Sequence, residues 1–240
     1  RGYDLIINVP KDTETIAEQR LLQTGKADGL IIIGQAGRST RLDALGPLAK
    51  KVVVWGGRDA PTKYTLVGSD NKEGGRLAAE HLMSIGRKRI LFLGPLSLPE
   101  VALRYEGFEV AHTSQGLPFD PELKLDVEFG GSAVFQDLRA FIEQGHPFDA
   151  VFAASDVLAM TAIMALRAAG RSVPDDVAVV GYDNIGQAQL STPPLTTIDQ
   201  NIKAGGEMLV ELLLKQLAGE EVTSQLMPTR LIVRGSSVAD

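Results

Sequence analysis

The chain has 240 residues, of which 44% are hydrophobic and 22% charged, and its formal net charge is −6. No apolar run approaches the roughly 18–20 residues of a membrane-spanning helix, and the acidic balance argues against nucleic-acid binding by this chain itself, which needs a basic face. The absence of cysteine excludes a disulfide framework, thiolate catalysis and Cys-ligated zinc, and it fits a cytoplasmic protein.

Apolar runs alternate with segments of helical period along the chain. Strands are predicted at 3–9, 29–34, 51–56, 89–94, 150–155 and 177–183, and helices at 12–25, 39–50, 70–85, 99–116, 131–145, 155–169 and 203–218. The strands are apolar on both faces, as strands covered by helices on both sides are. This alternation predicts βαβ units, right-handed crossovers and a mostly parallel sheet, so the fold class is α/β.

Enzyme signatures are absent from the sequence. It contains no glycine-rich dinucleotide or phosphate loop motif, no nucleophile elbow and no H-E-x-x-H zinc motif. The three histidines, His81, His112 and His146, show no ligand spacing, and solvated or capping roles explain them better than metal binding. We therefore predict no catalytic residue, no metal and no cofactor.

Ligands bind beyond the carboxyl ends of the strands in open α/β sheets. The polar and aromatic residues at the predicted tips are Gln35, Arg38, Trp55, Arg58, Ser69 to Glu73, Glu100, Arg104, Ser155, Asp156, Tyr182, Asp183 and Asn184. Several have a simpler interpretation: Asp70, Asp156 and Asn184 occupy positions typical of helix N-caps, and Trp55 can cover core. Asp183 differs because it ends a buried strand. Together these groups predict a site for a small polar ligand.

Four further stretches accompany "VPDDVAVVGYDN" (173–184), in which Asp183 lies. They are "VGSDNKEGGRLAAEHLMSIGRKRILFLGP" (67–95), "FDAVFAASDVLAMTAIMALRAAG" (148–170), "STPPLTTIDQN" (191–201) and "PTRLIVRGSS" (228–237). The combination resembles the LacI/GalR family of bacterial transcription regulators over essentially the whole chain.

The resemblance implies a periplasmic-binding-protein-like fold, with two Rossmann-like lobes of parallel sheet joined by three crossovers and the effector in the cleft. The N-terminal lobe is expected over 1–86 plus 202–219 and the C-terminal lobe over 87–201 plus 220–240. The crossovers are then expected near 86–88, 200–202 and 219–222. A further strand and helix of the N-terminal lobe are expected to precede Arg1.

The resemblance also assigns the site residues one by one. Asp183 of "GYDN" matches the family's cleft aspartate, a usual partner of effector hydroxyls, and Arg104 matches an arginine that typically contacts effector. Ser155 and Asp156 match the polar pair that follows the next strand, where an effector-contacting side chain is placed.

Three further residues complete the predicted site. Glu73 lies near an acidic position used by some sugar-binding members of the family. Gln200 ends the "TTIDQ" crossover, where it either lines the cleft or ties the hinge. Trp55 offers an aromatic face on which a sugar ring can stack.

The implied function is the effector-sensing and dimerisation domain of a DNA-binding regulator in the cytoplasm. A sugar or sugar derivative is the expected effector, with a purine-like ligand as an open alternative. Operator DNA is expected to bind through a helix-turn-helix headpiece that this sequence does not contain, and the expected assembly is a homodimer without a membrane partner. The rival hypotheses are a monomeric extracytoplasmic sugar-binding protein of a transport system and a sugar-modifying enzyme.

Overall fold

The computed structural model describes residues 2–9, 17–34, 42, 44–57, 61–116, 120–129 and 132–238, and its strands form two separate sheets. The strands are β1 Leu30–Ile33, β2 Val52–Trp55, β3 Thr65–Ser69, β4 Ile90–Leu93, β5 Lys124–Leu125, β6 Ala150–Ala153, β7 Ala178–Asp183, β8 Thr196–Asp199, β9 Gln225–Met227 and β10 Arg230–Ile232. The first sheet has the order β1-β2-β3-β9 and the second β10-β8-β7-β6-β4-β5. All neighbouring strands are parallel except β10 and β8. The predicted two-lobe α/β fold is confirmed.

Helices cover both sheets. They are α1 Ala17–Gln23, α2 Asn71–Ser84, α3 Pro99–Ser114, α4 Ser132–Glu143, α5 Asp156–Ala168 and α6 Ile202–Leu217, with 3-10 helices at Gly46–Lys51 and Gly186–Gln189. Their starts follow from the sequence: the Asp70 carboxylate accepts a hydrogen bond from the Glu73 amide before α2, at 3.0 Å. Pro99 begins α3, where no intrahelical hydrogen bond is lost. In the described part of the chain, no helix combines the length and apolar character needed to cross a membrane.

The second sheet carries the larger core. Phe92 of β4 packs edge-to-face on Phe152 of β6, with ring centroids 5.4 Å apart, and Phe108 of α3 lies 5.7 Å from Phe92. Such aromatic pairs contribute about 0.5–1.5 kcal/mol beyond the area that they bury. The first sheet has smaller clusters, one of which packs Val53 and Val67 against α6. Most buried apolar side chains therefore belong to the second lobe.

Helices α2 and α3 cross at two glycines, so their backbones touch. A Cβ built on Gly75 would overlap the carbonyl oxygen of Arg104, and one built on Gly107 would overlap the carbonyl oxygen of Lys72. Only a residue without a side chain fits at such a backbone contact. The crossing fixes where α3, and with it Arg104, lies relative to α2.

The chain passes between the sheets at 69–71, 199–202 and 227–230, which we call the three crossings. The second coincides with the expected crossover at 200–202, whereas the other two differ from those expected at 86–88 and 219–222. Helix α2 packs on the second sheet because Ala78, Ala79 and Leu82 join its core, and β9 pairs with β3 of the first sheet. We therefore propose lobe boundaries near residues 70 and 228 in place of 86 and 219.

Residues 3–9, predicted as a strand, form no strand in the structure. Leu5, Ile7 and Val9 are 86%, 84% and 85% exposed. The first sheet ends at β1 among the described residues, and residues 3–9 do not pair with that edge. An apolar run becomes a strand only where a sheet edge accepts its backbone hydrogen bonds.

The short strands β3, β5, β8, β9 and β10 were not predicted. They are two to five residues long and carry Thr, Ser, Gln or charged residues, so their apolar signal is weak. The predicted helix at 39–50 lies partly outside the described residues. Its described part contains the 3-10 helix Gly46–Lys51, in which Pro47 cannot occupy a helix interior.

A hydroxyl–imidazole cluster ties the last described residues to α2. His81 Nε2 lies 2.7 Å from Ser237 Oγ, which in turn lies 2.8 Å from Thr196 Oγ1 at the start of β8. Burial lowers the pKa of His81, because a charged imidazolium loses its hydration there. The fold therefore favours neutral His81.

We expect wild-type stability to fall below about pH 6.5, the ordinary histidine value, because the unfolded chain then binds the proton more readily than the folded one. His81→Gln should flatten this dependence by at most about 1.4 kcal/mol per pH unit. Urea unfolding at pH 7.5, 6.5 and 5.5 measures it. Buried His112 also has a lowered pKa, so His112→Gln is the comparison variant. Parallel wild-type and His81→Gln profiles would contradict the expectation.

Candidate functional site

The carboxyl ends of the two sheets face each other across a cleft. Ser69, at the end of β3, donates a hydrogen bond to Gln200 Oε1 just after β8, at 2.9 Å. Beyond β2, a Cβ built on Gly57 would lie 3.2 Å from Leu103 Cδ1 and 3.3 Å from the Glu100 Cα of α3. The predicted strand tips of both lobes are thus brought together, as the Rossmann-like arrangement requires. Gln35, Arg38 and Arg58 lie outside the described residues.

Asp183 ends β7 in a backbone conformation that only a strong local framework holds. Its φ is 118° and that of Asn184 is 56°, both in the region that favours glycine. Such a residue costs on the order of 1–3 kcal/mol. Two hydrogen bonds of Asn184 hold the turn. Its backbone N–H donates to Thr197 Oγ1 at 3.3 Å, and its side-chain Oδ1 accepts from Arg234 at 2.8 Å. Gln200 Nε2 donates to Asp183 Oδ1. The carboxylate of Asp183 is therefore aimed by its neighbours.

Arg104 is the cation of the site. It is 5% exposed, and its guanidinium lies 3.7 Å from the ring centroid of Tyr182 in a cation–π contact. Its Nε donates to Asn71 Oδ1 at 2.8 Å, and Nη1 donates to the carbonyl of Ala154. These partners fix the guanidinium in one orientation.

The charges of Arg104 and Asp183 act on each other. Burial raises the pKa of the Asp183 carboxyl above its ordinary value, while the positive charge of Arg104 and the hydrogen bond from Gln200 oppose that rise. A desolvated carboxylate near a guanidinium is an arrangement that strengthens hydrogen bonds to a polar ligand. The structure thus brings the two main predicted residues to one place.

Ser155 and Asp156 make hydrogen bonds within the protein that support the site. The Ser155 hydroxyl accepts from the Leu158 amide at 3.2 Å and caps α5. Asp156 is fully buried, and its two oxygens accept from Thr197 Oγ1 at 2.5 Å and from the Ile185 amide at 2.8 Å. Burial raises the pKa of Asp156 to about 6. Asp156 therefore fixes the turn that carries Asp183, and the ligand contact predicted for it stays a prediction.

The glycine of "GYDN" follows from this packing. A Cβ built on Gly181 would overlap Asp156 Oδ1. Any larger residue would push Asp156 away from Thr197 and Ile185. In this motif, Gly181 leaves room for the buried carboxylate of Asp156, and Asp156 in turn positions Asp183.

Glu73 and Trp55 have other partners in the structure. Both oxygens of Glu73 accept from Arg76 on the next turn of α2, with Nε to Oε2 at 2.8 Å, and this bond lowers the pKa of Glu73. Trp55, at the end of β2, packs its six-membered ring against Gly205 of α6, where a Cβ would overlap it. The effector contacts predicted for both residues remain predictions.

No group of three or more His, Cys, Asp or Glu side chains among the described residues is arranged to hold a metal ion. A Ser–His contact occurs at Ser237 and His81, but Ser237 is buried and its hydroxyl also contacts Thr196. Thr196 begins β8, so this pair lies at the amino end of the second sheet, opposite to Asp183. The groups at the cleft, Asp183 and Arg104, are suited to binding and orienting a polar ligand.

The chain matches the periplasmic binding protein-like domain family over residues 79–237. It is 34% identical over 189 residues to the HTH-type transcriptional regulator CelR of Thermobifida fusca, covering 76% of this chain and 56% of CelR. It is 31% identical over 228 residues to the HTH-type transcriptional repressor PurR of Haemophilus influenzae (strain PittEE), covering 92% of this chain and 67% of PurR.

Solved structures agree with these relatives. A CelR–cellobiose complex superposes with a TM-score of 0.81 at 30% identity, covering 92% of this chain and 70% of that one. The lac repressor dimer bound to operator and the anti-inducer ONPF superposes with a TM-score of 0.82 at 27% identity, covering 94% of this chain and 78% of that one.

The chain belongs to the LacI family. It covers the effector domain of these regulators, and its relatives CelR and PurR are transcriptional regulators rather than enzymes. The chain spans 56% of the length of CelR and 67% of that of PurR.

Four residues of this LacI-family cleft were not among the predicted site residues, although Ser69 and Asn71 lie in the strand-tip range Ser69 to Glu73. Asn71 orients Arg104, Ser69 contacts Gln200, and Thr197 and Arg234 hold the turn after β7. Adjacent hydroxyls in "TTID" were the available signal for Thr197, because a buried strand carries Thr where a hydroxyl finds a partner. Asn71 was not predicted as a site residue because it follows Asp70, and the pair fits the start of a helix.

Proposed function

We propose that this LacI-family chain is the effector-sensing and dimerisation part of a DNA-binding transcriptional regulator. The effector that we propose is a sugar or sugar derivative, bound between the lobes and not turned over. The observation that carries the proposal is the position of Asp183 directly after Tyr182, whose ring lies against the Arg104 guanidinium, at the carboxyl end of the second sheet. A carboxylate and a guanidinium hydrogen-bond well to the neighbouring hydroxyls of a sugar, and each such charged bond contributes about 1.5–3 kcal/mol. The cellobiose complex of CelR supports a sugar over other small polar ligands.

The sensing mechanism follows from the two lobes. An effector that contacts Asp183 and Arg104 from one side and the first lobe from the other favours the lobe angle at which both contacts form. It shifts the equilibrium only by its difference in affinity for the two angles. In a homodimer, the changed angle alters the spacing of two headpieces and hence the affinity for operator half-sites, inside the cytoplasm.

An exposed apolar face on α5 supports the homodimer. Val157 and Met164 lie two turns apart on this helix and are 47% and 62% exposed, and Leu190, after the 3-10 helix that follows β7, is 79% exposed. Residues spaced by seven lie on the same face of a helix. We propose that a second copy covers this face.

Two measurements on the same protein test the function. Isothermal titration with cellobiose, then with a panel of mono- and disaccharides and with adenine and guanine, is expected to find one sugar with a Kd of roughly 1–100 μM. Sedimentation is expected to show a dimer. Tight sugar binding by a monomer would favour a transport binding protein, and purine binding without sugar binding would overturn the effector class.

Met164→Glu is expected to weaken self-association at least about tenfold, because dimerisation would bury a carboxylate in the apolar face. Sedimentation equilibrium over a concentration series measures the change. Val110→Glu on α3 places the same charge at another exposed valine, 42% exposed, and serves as the matched control. Equal effects of the two substitutions would move the interface away from α5.

A further inference from the structure

Three buried polar side chains connect the two charged residues of the cleft to the lobe crossings. Ser69, Asn71 and Gln200, which we call the amide bridge, are 2%, 3% and 7% exposed. Gln200 Nε2 donates to Asp183, and Asn71 Oδ1 accepts from Arg104 Nε at 2.8 Å. Between them, the Ser69 hydroxyl lies 2.9 Å from Gln200 Oε1 and 3.3 Å from Asn71 Oδ1. Asp183 and Arg104 are thus linked through the bridge, in which the single hydroxyl proton of Ser69 is donated either to Gln200 or to Asn71.

The bridge also lies at the hinge. Ser69 and Asn71 belong to the first crossing and Gln200 to the second, so the Ser69–Gln200 bond joins two of the three segments about which the lobes turn. The third crossing is bonded to both. Asp70 of the first crossing donates its amide to the Met227 carbonyl at 3.0 Å, and Arg230 pairs with Asp199 of the second at 3.0 Å. A change of lobe angle must strain or break bonds in this set.

The Ser69 hydroxyl is the point at which the bridge can change state. It has one proton and two amide oxygens to which it can donate, and buried polar groups are costly when left without a partner. Gln200 cannot reverse its amide without losing the bond from its Nε2 to the Asp183 carboxylate. A ligand that hydrogen-bonds to Asp183 or Arg104 competes with the bridge for that residue's charge. It therefore changes the strength of the Gln200–Asp183 or the Asn71–Arg104 hydrogen bond.

We infer that the amide bridge sets the angle between the lobes and passes the state of Asp183 and Arg104 to the hinge. Ser69, Asn71 and Gln200 are then positioning residues, and Gln200 ties the hinge and is not a ligand group. For the step from ligand to Asp183, the inference rests on the proposed function. The link from Asp183 to the hinge stands on the contacts alone.

The test measures the lobe angle without a ligand. The chain has no cysteine of its own, so Lys51→Cys before β2 and Asp137→Cys on α4 place one spin label on each lobe. Both positions are exposed. Double electron–electron resonance then gives the distribution of distances between the lobes.

Ser69→Ala and Gln200→Leu are each expected to shift or broaden this distribution. Thr65→Val is the matched control, since it also removes a buried hydroxyl from strand β3. The hydrogen-bond partner of that hydroxyl, Gln216, lies in the first lobe and not at a crossing. Thr65→Val is expected to leave the distribution unchanged. Wild-type distances in both bridge variants would overturn the inference, and Ser69→Ala alone decides it if Gln200→Leu does not fold.

Coupling to the site is tested by a double-mutant comparison. Asp183→Ala is expected to shift the distances in the wild-type background and to add nothing in Gln200→Leu, because its connection to the hinge is already cut. Equal shifts in both backgrounds would overturn the coupling.

Cellobiose is the ligand probe. If cellobiose binds, Ser69→Ala is expected to weaken its binding about three- to tenfold, and Thr65→Val is expected to leave the affinity unchanged. Equal affinities for Ser69→Ala and wild type would overturn the ligand step. If no sugar binds, the proposed function fails, whereas the distance results still decide the inference.

Discussion

Gly75→Ala is expected to lower the free energy of unfolding by about 3 kcal/mol, because the new methyl group overlaps the Arg104 carbonyl oxygen at the crossing of α2 and α3. For a chain of this length, the loss corresponds to a fall in Tm of roughly 6–12 °C. The helices can relieve the overlap only by moving apart. Arg104 then moves with α3, so ligand affinity should fall in the protein that remains folded. Differential scanning calorimetry and ligand titration on the same samples measure both effects.

Gly206→Ala is the matched control. Gly206 also lies in a helix, α6, but a Cβ built there meets no heavy atom within 4 Å. Alanine in such a place is expected to stabilise the chain by about 0.5–1 kcal/mol, since it restricts the unfolded backbone. An unchanged Tm in Gly75→Ala would mean that the two helices do not touch at this glycine in solution.

The second large effect is expected at Asp183. Asp183→Ala removes the carboxylate of the cleft and leaves the buried charge of Arg104 without its anionic neighbour. Losing a charged hydrogen bond to the effector costs about 1.5–3 kcal/mol, so affinity for the effector should fall at least about tenfold. The chain should still fold but with reduced stability, because buried Gln200 loses the acceptor of its Nε2 and buried Arg104 loses its anionic neighbour. Titration of the effector found in the sugar panel, together with urea unfolding, measures the two quantities.

Two further variants separate charge from shape. Asp183→Asn keeps the volume and loses the charge, and it should bind as poorly as Asp183→Ala if the charge carries recognition. Asp137→Ala removes an exposed carboxylate from α4 and should bind like wild type. Wild-type affinity in Asp183→Ala would remove Asp183 from the site.

The elements predicted from the sequence are those with a strong local pattern. Strands β4, β6 and β7 are continuous apolar runs, and α2 and α5, predicted from residues 70 and 155, are capped by Asp70 and Ser155. The strands that were missed, such as β8 with its buried Thr196 and Thr197, carry polar residues and so lack a continuous apolar run. Residues 3–9 show the converse, since a strong strand pattern that pairs with no sheet edge forms no strand.

The site divides in the same way. Asp183 and Arg104 were placed by their motifs and lie together in the structure. What motifs cannot give is the partner of each side chain. Glu73 is paired with Arg76 on its own helix, and Trp55 packs against α6, because contacts of a few ångströms depend on rotamers and on glycines in other elements. The bridge through Asn71 joins residues on two crossings, which no local pattern predicts.

Asp183 and Arg104, the two charged side chains that the described residues place at the proposed site, come from one lobe. Asp183 follows the core of the second sheet, and Arg104 lies on α3, which packs on the same sheet. Under the proposed function, we expect a ligand to dock first on the second lobe and the first lobe then to close over it. Initial capture and final selectivity are consequently separate tasks. Substitutions in the first lobe can change which ligand is retained without disturbing the anchor that first catches it.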